Sequence, residues 1–342
     1  MPKVLVTGGL GFIGSHTSVE LLERGFDVVL VDNLCNSEQW ILERIVELAG
    51  DKGGIDYLAL DMANPMDVKS LFEAHPNIDG VIHFAAHKSV GESVKNPLKY
   101  YQNNLGSLVC LLQEMTERGL DNIIFSSSCT VYGEAEELPI TETAPVQLPM
   151  SPYGNTKQIG EEIIFDTTEA HTLNAIALRY FNPVGAHDTH RIGELPIGVP
   201  LYLVPYITQT AAGLRDELLV FGDDYPTRDG TCIRDYIHVM DIAEAHVIAL
   251  ERLFKKKNET AFEIFNLGTG TGSTVLEVIQ SFEKVSGEKL NFRIVEKRPG
   301  DVVAAYADTE KADKVLGWKA HRSLDQAMLS AWLWEKDVRG IK

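Results

Sequence analysis

The sequence predicts an α/β protein built on a doubly wound parallel sheet, followed by a smaller α+β region. Three observations carry that expectation. Over the first 180 residues, short and nearly all-apolar β-branched runs alternate with helix-length amphipathic stretches, as in a parallel sheet covered on both faces. A glycine-rich turn, Gly8-Gly9-Leu10-Gly11-Phe12-Ile13-Gly14, joins the first run to the first helix. After Tyr180 the alternation gives way to loop signals such as Asn182-Pro183-Val184-Gly185 and Asp223-Asp224-Tyr225-Pro226.

Taken in order, strands are expected at 3–7, 28–32, 57–61, 80–84, 122–126 and 174–180. Helices are expected near 12–24, 38–49, 66–74, 97–118 and 152–170. Right-handed crossovers between parallel strands turn this alternation into a Rossmann architecture. Further helical stretches lie at 239–254, 273–285 and 311–336. The 342 residues fit about two domains of roughly 150 residues. The expected division is a dinucleotide-binding unit over 1–180 and a ligand-binding unit over 181–342, with the helix near 239–254 packing back on the first.

Composition narrows the function. A hydrophobic fraction of 44% with 23% charged residues excludes disorder and fibrous classes. A net charge of −18 argues against nucleic acid or an anionic membrane as partner. Cys35, Cys110, Cys129 and Cys232 lie far apart without metal-ligand spacing, which points to reduced thiols and no cysteine metal site. His187 and His190 share a loop pattern with no third ligand nearby, so no metal is expected. The strand pattern begins at Lys3, leaving no room for a signal peptide, and no apolar run nears the ~18 residues of a membrane span. A cytoplasmic protein is expected.

The glycine turn is a phosphate site in waiting. Gly8, Gly11 and Gly14 permit a tight turn and let backbone N–H groups approach a pyrophosphate at the helix N-terminus. Asp32 follows Gly14 by 18 residues at the end of the second strand. A carboxylate there accepts ribose hydroxyls and repels a 2′-phosphate, which favours NAD over NADP. Asp61 ends the third strand and can accept from an adenine amino group. Phe84, Ala85 and Ala86 end the fourth, with small residues that admit a cofactor. A second glycine run, 268–272 before Ser273, reads as a turn with a serine cap rather than another phosphate loop.

Ser126-Ser127-Ser128 ends the fifth strand, and Tyr153-Gly154-Asn155-Thr156-Lys157 opens the next helix. Spacing i,i+4 puts Tyr153 and Lys157 on one helical face. A phenol titrates near 10, and a neighbouring ammonium with an oxidised nicotinamide stabilises its tyrosinate. A serine hydroxyl that holds a substrate hydroxyl completes a set able to interconvert alcohol and ketone by hydride transfer.

These residues resemble the extended short-chain dehydrogenase/reductase family, in its nucleotide-sugar epimerase branch. The similarity runs from Lys3 to about Trp334. It is carried by residues 7–16, 83–93 (HFAAHKSVGES), 126–133 (SSSCTVYG), 151–157 (SPYGNTK), 178–185 (LRYFNPVG), 221–241 and 265–270. The resemblance implies epimerisation of UDP-hexoses at C4 through a transient 4-keto sugar, with NAD as cofactor. Tyr153 would be the base, Ser128 would position the hydroxyl, and Lys157 would tune Tyr153 and bind the nicotinamide ribose. By similarity, Phe12, Ile13, Asp32, Asn33, Asp61, Met62, Phe84, Lys88, Asn103, Lys157 and Phe181 would hold NAD. Lys88, Asn182, Leu203, the Leu219-Val220-Phe221 backbone, Arg234, Tyr236, Arg298 and Asp301 would grip the UDP-sugar. Arg234 and Arg298 suit a diphosphate, and Asp301 a ribose diol. A homodimer paired through helices 97–118 and 152–170 is implied as well.

Two departures bear on the sugar. Where the family has Pro-Asn-Asn-Leu-Met-Pro, this chain has Pro200-Leu201-Tyr202-Leu203-Val204-Pro205, so Tyr202 replaces a sugar-side Asn. The position that gates the sugar pocket falls on Ala305, and a small residue there admits N-acetylated sugars unless Tyr202 refills the space. Related 4,6-dehydratases carry Asp-Glu after the serine or threonine, where this chain has Cys129-Thr130, which favours epimerisation. A non-catalytic NAD sensor would lose the Ser–Tyr–Lys set, which is intact.

Overall fold

The computed structural model describes residues 1–298 and 301–341. The first half supplies strands β1 (Lys3–Thr7), β2 (Asp27–Val31), β3 (Ile55–Leu58), β4 (Gly80–His83), β5 (Asn122–Ser128) and β6 (Asn174–Tyr180). Between them run helices α1 (Phe12–Glu23), α2 (Ile41–Ala49), α3 (Pro65–Ala74), α4 (Val90–Lys95), α5 (Pro97–Tyr100), α6 (Gly106–Arg118) and α7 (Pro152–Ala170). The second half adds β7 (Asn182–Val184), β8 (Leu218–Phe221), β9 (Ile233–Arg234), β10 (Tyr236–His238), β11 (Phe262–Leu267), β12 (Ser273–Thr274), β13 (Phe292–Val295) and β14 (Ala304–Ala305). Its helices are α8 (Leu203–Ala211), α9 (Val239–Phe254), α10 (Val275–Ser286) and α11 (Leu324–Arg339).

Seven parallel strands form the main sheet in the order β11-β6-β5-β4-β1-β2-β3. The chain starts in the middle at β1, builds outward to β3, then returns to β4 and builds the other way. That reversal opens a crevice at the strand C-termini between β1 and β4, where open α/β sheets take ligands. Both faces of β1 are buried, with Val4 and Val6 in one core and Leu5 in the other. This two-sided burial explains the continuous apolar runs.

The α/β expectation is borne out, and the differences have physical causes. The seventh strand, β11, comes from beyond residue 180, and α9 packs against α1 and the sheet. Gly80 makes that approach possible, because a Cβ there would lie 2.9 Å from the Phe254 ring. The 97–118 stretch is not one α-helix: a π-helical turn at Tyr101–Leu105 separates α5 from α6. Nor is 311–336 continuous. Gly317 turns left-handed at φ 75° after the π-turn Ala312–Leu316, and α11 restarts at Ser323, whose capping box with Gln326 satisfies the first-turn donors. A separate apolar core, including Ile207, Phe282, Met328 and Trp332, joins α8, α10 and α11.

Candidate active site

The glycine turn crosses the crevice. Gly8 is left-handed (φ 67°), and its N–H donates to Val31 O at 2.7 Å. A Cβ on Gly14 would meet Gly8 O at 2.2 Å, so the turn closes only without side chains. The helix N-cap, Gly11, carries no side-chain cap, which leaves the first-turn N–H groups for an anion. Asp32 follows β2 and takes Leu10 N–H at 3.1 Å, Leu34 N–H at 2.9 Å and Ser37 Oγ–H at 2.7 Å. Bare helix end, cradle and carboxylate together fit the pyrophosphate and ribose of a dinucleotide.

Asp61 lies three residues beyond β3 rather than at its end, and turns the chain by accepting Ala63 N–H at 2.9 Å. Met62 is buried beside the second sheet core. Phe84 leans on His246 at a ring distance of 4.6 Å, and Ala85 N–H reaches Thr7 Oγ at 3.3 Å. The loop after β4 is fixed by Asn104, which accepts His87 N–H at 2.8 Å and donates to Thr156 Oγ of α7 at 3.0 Å. Asn103 donates to Asn104 in turn. The π-turn brings both asparagines to this loop.

Ser128, Tyr153 and Lys157 meet at the end of β5. Ser151 caps α7 through Gly154 N–H at 3.1 Å, and Pro152 fits its first turn. Lys157 is buried, donates from Nζ to Ser126 O at 2.6 Å, and lies 5.0 Å over the Phe125 ring and 6.0 Å from the Tyr153 ring. Burial lowers its pKa to about 8, with Glu161 opposing the shift. Burial, then the neighbouring Tyr202, holds the Tyr153 phenol above its ordinary range, while the Ser128 hydroxyl pulls the other way. The chain alone therefore keeps Tyr153 protonated. His83 stacks on Phe125 and is pushed down to about 3, by burial first and then by Lys157, so it stays neutral. Cys129 is pushed up to about 12 by burial, which removes its thiol from acid–base work near neutrality.

Farther along the cleft, Arg298 and Arg234 share Asp301, at 3.0 and 3.7 Å. The Arg298 guanidinium lies 4.4 Å over the Phe221 ring. Tyr236 lies in the same field of charges, and Asn182 pairs with it across the β7–β10 ladder. Ala305 pairs with Arg234 between β14 and β9 and packs in the cluster holding Cys129, Tyr132 and Phe181. Pro299 and Gly300, which join Arg298 to Asp301, lie outside the described residues. Leu203 opens α8, and Leu219 and Val220 lie in β8.

Lys88 carries partners the sequence did not disclose. Its Nζ donates to Glu194 at 2.9 Å, 5.1 Å over the Tyr202 ring and 5.8 Å over that of Phe12. The Tyr202 hydroxyl donates back to Lys88 O at 2.9 Å. The second glycine run binds the chain itself: Asp235 accepts Thr269 N–H at 2.8 Å and Gly270 N–H at 3.3 Å, and the next helix is capped by Thr274, not Ser273. His187 bonds Thr189 rather than pairing with His190. Among the described residues, Asp241, Glu244 and His321 alone form a trio of potential metal ligands, and Arg322 Nη1 already bonds both carboxylates at 2.6 and 2.9 Å.

Residues 5–330 match the family described as GDP-mannose 4,6 dehydratase. The UDP-glucose 4-epimerase of Drosophila melanogaster is 48% identical over 341 residues, 98% of this chain and 96% of that one. That of Bacillus subtilis (strain 168) is also 48% identical, over 99% of this chain and 98% of its own. A UDP-glucose 4-epimerase from Stenotrophomonas maltophila, solved with NAD and formylated UDP-arabinopyranose, superposes with a TM-score of 0.95 at 46% identity and full coverage of both chains. No helix among the described residues is long and apolar enough to cross a membrane. The chain belongs to the UDP-glucose 4-epimerases of the extended short-chain dehydrogenase/reductase family.

Proposed function

We propose that this protein binds NAD in the β1–β4 crevice and interconverts UDP-glucose and UDP-galactose, with Tyr153 as base, Ser128 as hydroxyl anchor and Lys157 as the tuning cation. The observation that carries the reading is the meeting of those three side chains at the end of β5, the strand next to β4 of the crevice. When bound, NAD supplies the acceptor and donor for the sugar's C4 hydride and a positive ring that favours tyrosinate. Gly8, Gly11, Phe12, Ile13, Gly14, Asp32, Asn33, Asp61, Met62, Phe84, Ala85, Ala86, Lys88, Asn103 and Phe181 are the proposed cradle.

The chain's own part is protonic. Tyr153 takes the proton of the sugar 4-hydroxyl as the ketone forms and returns it once the sugar has presented its other face. Ser128 holds the reacting oxygen, and the buried Lys157 ammonium opposes protonation of the tyrosinate. Asn182, Leu203, Leu219, Val220, Phe221, Arg234, Tyr236, Arg298 and Asp301 are the proposed nucleotide grip. The Arg234–Asp301–Arg298 cluster supplies two cations for a diphosphate and one carboxylate for a diol. Dehydration would need a further acid or base after Ser128, and the Cys129 thiol is too weakly acidic for it.

Ala305 supports a pocket that also admits UDP-GlcNAc and UDP-GalNAc. Tyr202, which could refill that space, is tied through its hydroxyl to Lys88 O and neighbours Tyr153. Steady-state assays with both sugar pairs test this, and absence of UDP-GalNAc turnover defeats it. Tyr153→Phe should retain NAD and lose ~10²–10⁴-fold in turnover; near-normal turnover defeats the assigned role.

The reading extends to a division near residue 180 and to a cytoplasmic homodimer. Four free cysteines support a reducing compartment, and α6 and α7 lie together with Val109 and Phe165 exposed. Light scattering that returns only a monomer mass overturns the dimer.

A further inference from the structure

Behind the reacting groups lies a buried ion pair for which the proposed chemistry has no use. Glu161 follows Lys157 by one turn, and Tyr153 by two, on the same face of α7. Its carboxylate accepts from Ser127 Oγ and from Arg179 Nε at 2.9 Å and Nη2 at 2.5 Å. Glu161 is 6% exposed and Arg179 3%. The Arg179 guanidinium lies 4.8 Å over the Tyr132 ring, whose hydroxyl donates to Asn266 at 2.6 Å. A buried pair of this kind is a weak way to gain stability, because both charges lose their water. Its place beside Lys157 gives it another use.

We propose that Glu161, held by Arg179 and Ser127, is a positioning residue that keeps the proton on Lys157 when the Tyr153–Lys157 pair gives one up. The inference rests on the roles assigned to Tyr153 and Lys157 above.

The pair holds two protons at rest and becomes active on losing one. The loss leaves either tyrosinate beside ammonium or phenol beside amine, and only tyrosinate can take the sugar's proton. Lys157 Nζ donates to Ser126 O and otherwise faces the Phe125 ring, and among the described residues it has no carboxylate within ion-pair distance. Burial therefore favours the amine, the wrong product. Around the pair stand His83 from β4, Cys129 and Tyr132 after β5, Arg179 and Tyr180 from β6, Tyr100 from α5, and Tyr202. Of the charges acting on Lys157 itself, Glu161 is the carboxylate that favours the ammonium, whereas Glu142 lies by Tyr132, Asp235 by Cys129, Glu92 by Tyr100 and Glu194 by Tyr202. Without Glu161, Arg179 would add an unopposed positive charge against the ammonium.

The test is the pH dependence of kcat for the NAD-loaded Glu161→Gln enzyme, with the near-ultraviolet absorbance of its tyrosinate. A charge about one helical turn away moves a neighbouring titration by about one to two pH units. The acid limb should shift down by that amount, because the pair now sheds a proton more readily. The plateau and the tyrosinate amplitude should both fall, by about tenfold for each unit of preference moved to the amine. Glu161→Asp keeps the charge and should hold the wild-type limb. Glu161→Gln with Arg179→Met removes both charges and should bring the limb back toward wild type. A Glu161→Gln enzyme with an unmoved limb and full tyrosinate amplitude overturns the proposal, whatever its melting temperature. Should that variant not fold, a double variant whose limb stays far below wild type, or an Asp variant whose limb shifts, overturns it. Normal turnover by Tyr153→Phe would instead sink the underlying assignment. An inactive Tyr153→Phe with an unmoved Glu161→Gln limb sinks this inference alone.

Discussion

Gly14→Ala should strip the protein of its cofactor while leaving the rest of the fold standing. The added Cβ would lie 2.2 Å from Gly8 O, 3.0 Å from Gly8 C and 3.1 Å from Gly9 Cα, all of them backbone. Relief to ordinary contact requires the turn to withdraw by about 1 Å. Gly8 has little room to do so: Ala85 N already stands 2.9 Å from the site of its own Cβ. Withdrawal also stretches the N–H bonds of Gly8 and Gly9 to Val31 O, now 2.7 and 3.1 Å. Two weakened backbone bonds cost about 1 kcal/mol each, and overpacking adds about 1–3 kcal/mol. A loop distorted by about 3–5 kcal/mol should bind NAD about 10²–10⁴-fold more weakly. Cofactor released from the purified variant on denaturation measures this directly, beside a circular-dichroism melt that checks the fold. The expected protein is folded, substoichiometric in NAD and partly rescued by excess cofactor. A fully loaded Gly14→Ala enzyme with wild-type turnover would refute the placement of the cofactor on this turn.

Other perturbations read other parts of the structure. Arg322→Met leaves Asp241, which is fully buried, without its cation, and should cost about 3–5 kcal/mol in denaturant unfolding; an unchanged midpoint would count against that pin. Burial holds His16, His83 and His238 down to about 3 and His246 to about 4. The unfolded chain, titrating near 6.5, binds more protons between those limits. The histidine contribution is thus complete above 6.5 and falls toward pH 3–4, by up to about 1.4 kcal/mol per pH unit for each ring. Urea midpoints at pH 7 and 5 should show the loss, and His246→Phe should flatten it. Thr274→Ala removes a capping box and should cost about 1 kcal/mol without altering kcat; a change in kcat instead would place the 268–272 turn in the site.

Much of this was legible in the sequence because the signals were local. Two-sided burial writes an apolar run, so β1 and β6 could be bounded to the residue. Gly14 is demanded by backbone only five and six residues away, and Gly8 by its own left-handed φ. What depends on distant partners was not legible. Lys88 reads as a free cation for an anionic ligand, but Glu194, more than a hundred residues on, neutralises it. Asn266 gave no sign of meeting the Tyr132 hydroxyl, and β11 lies where no strand was expected, its place in the main sheet being set by its pairing with β6. The Arg179–Glu161 pair did leave a trace: an arginine inside an otherwise apolar strand, and a glutamate one turn beyond a helical lysine.

The bond between Lys88 and Glu194 also bears on time. It buttons the loop after β4 to the segment leading into α8, with the Tyr202 hydroxyl as a second stud, close by the Phe12 ring at the mouth of α1. With NAD seated as proposed, its departure would require these two stretches of chain to part together, and its exchange would be slowed by the closure as well as by its own contacts. For a redox reaction with a net product that would throttle the enzyme, since spent cofactor must depart at each cycle. A reaction that returns every hydride it borrows has no such need, and can keep one cofactor through many turnovers. Salt, which loosens the ion pair, should quicken the exchange of labelled NAD while leaving the rate of a single turnover nearly untouched.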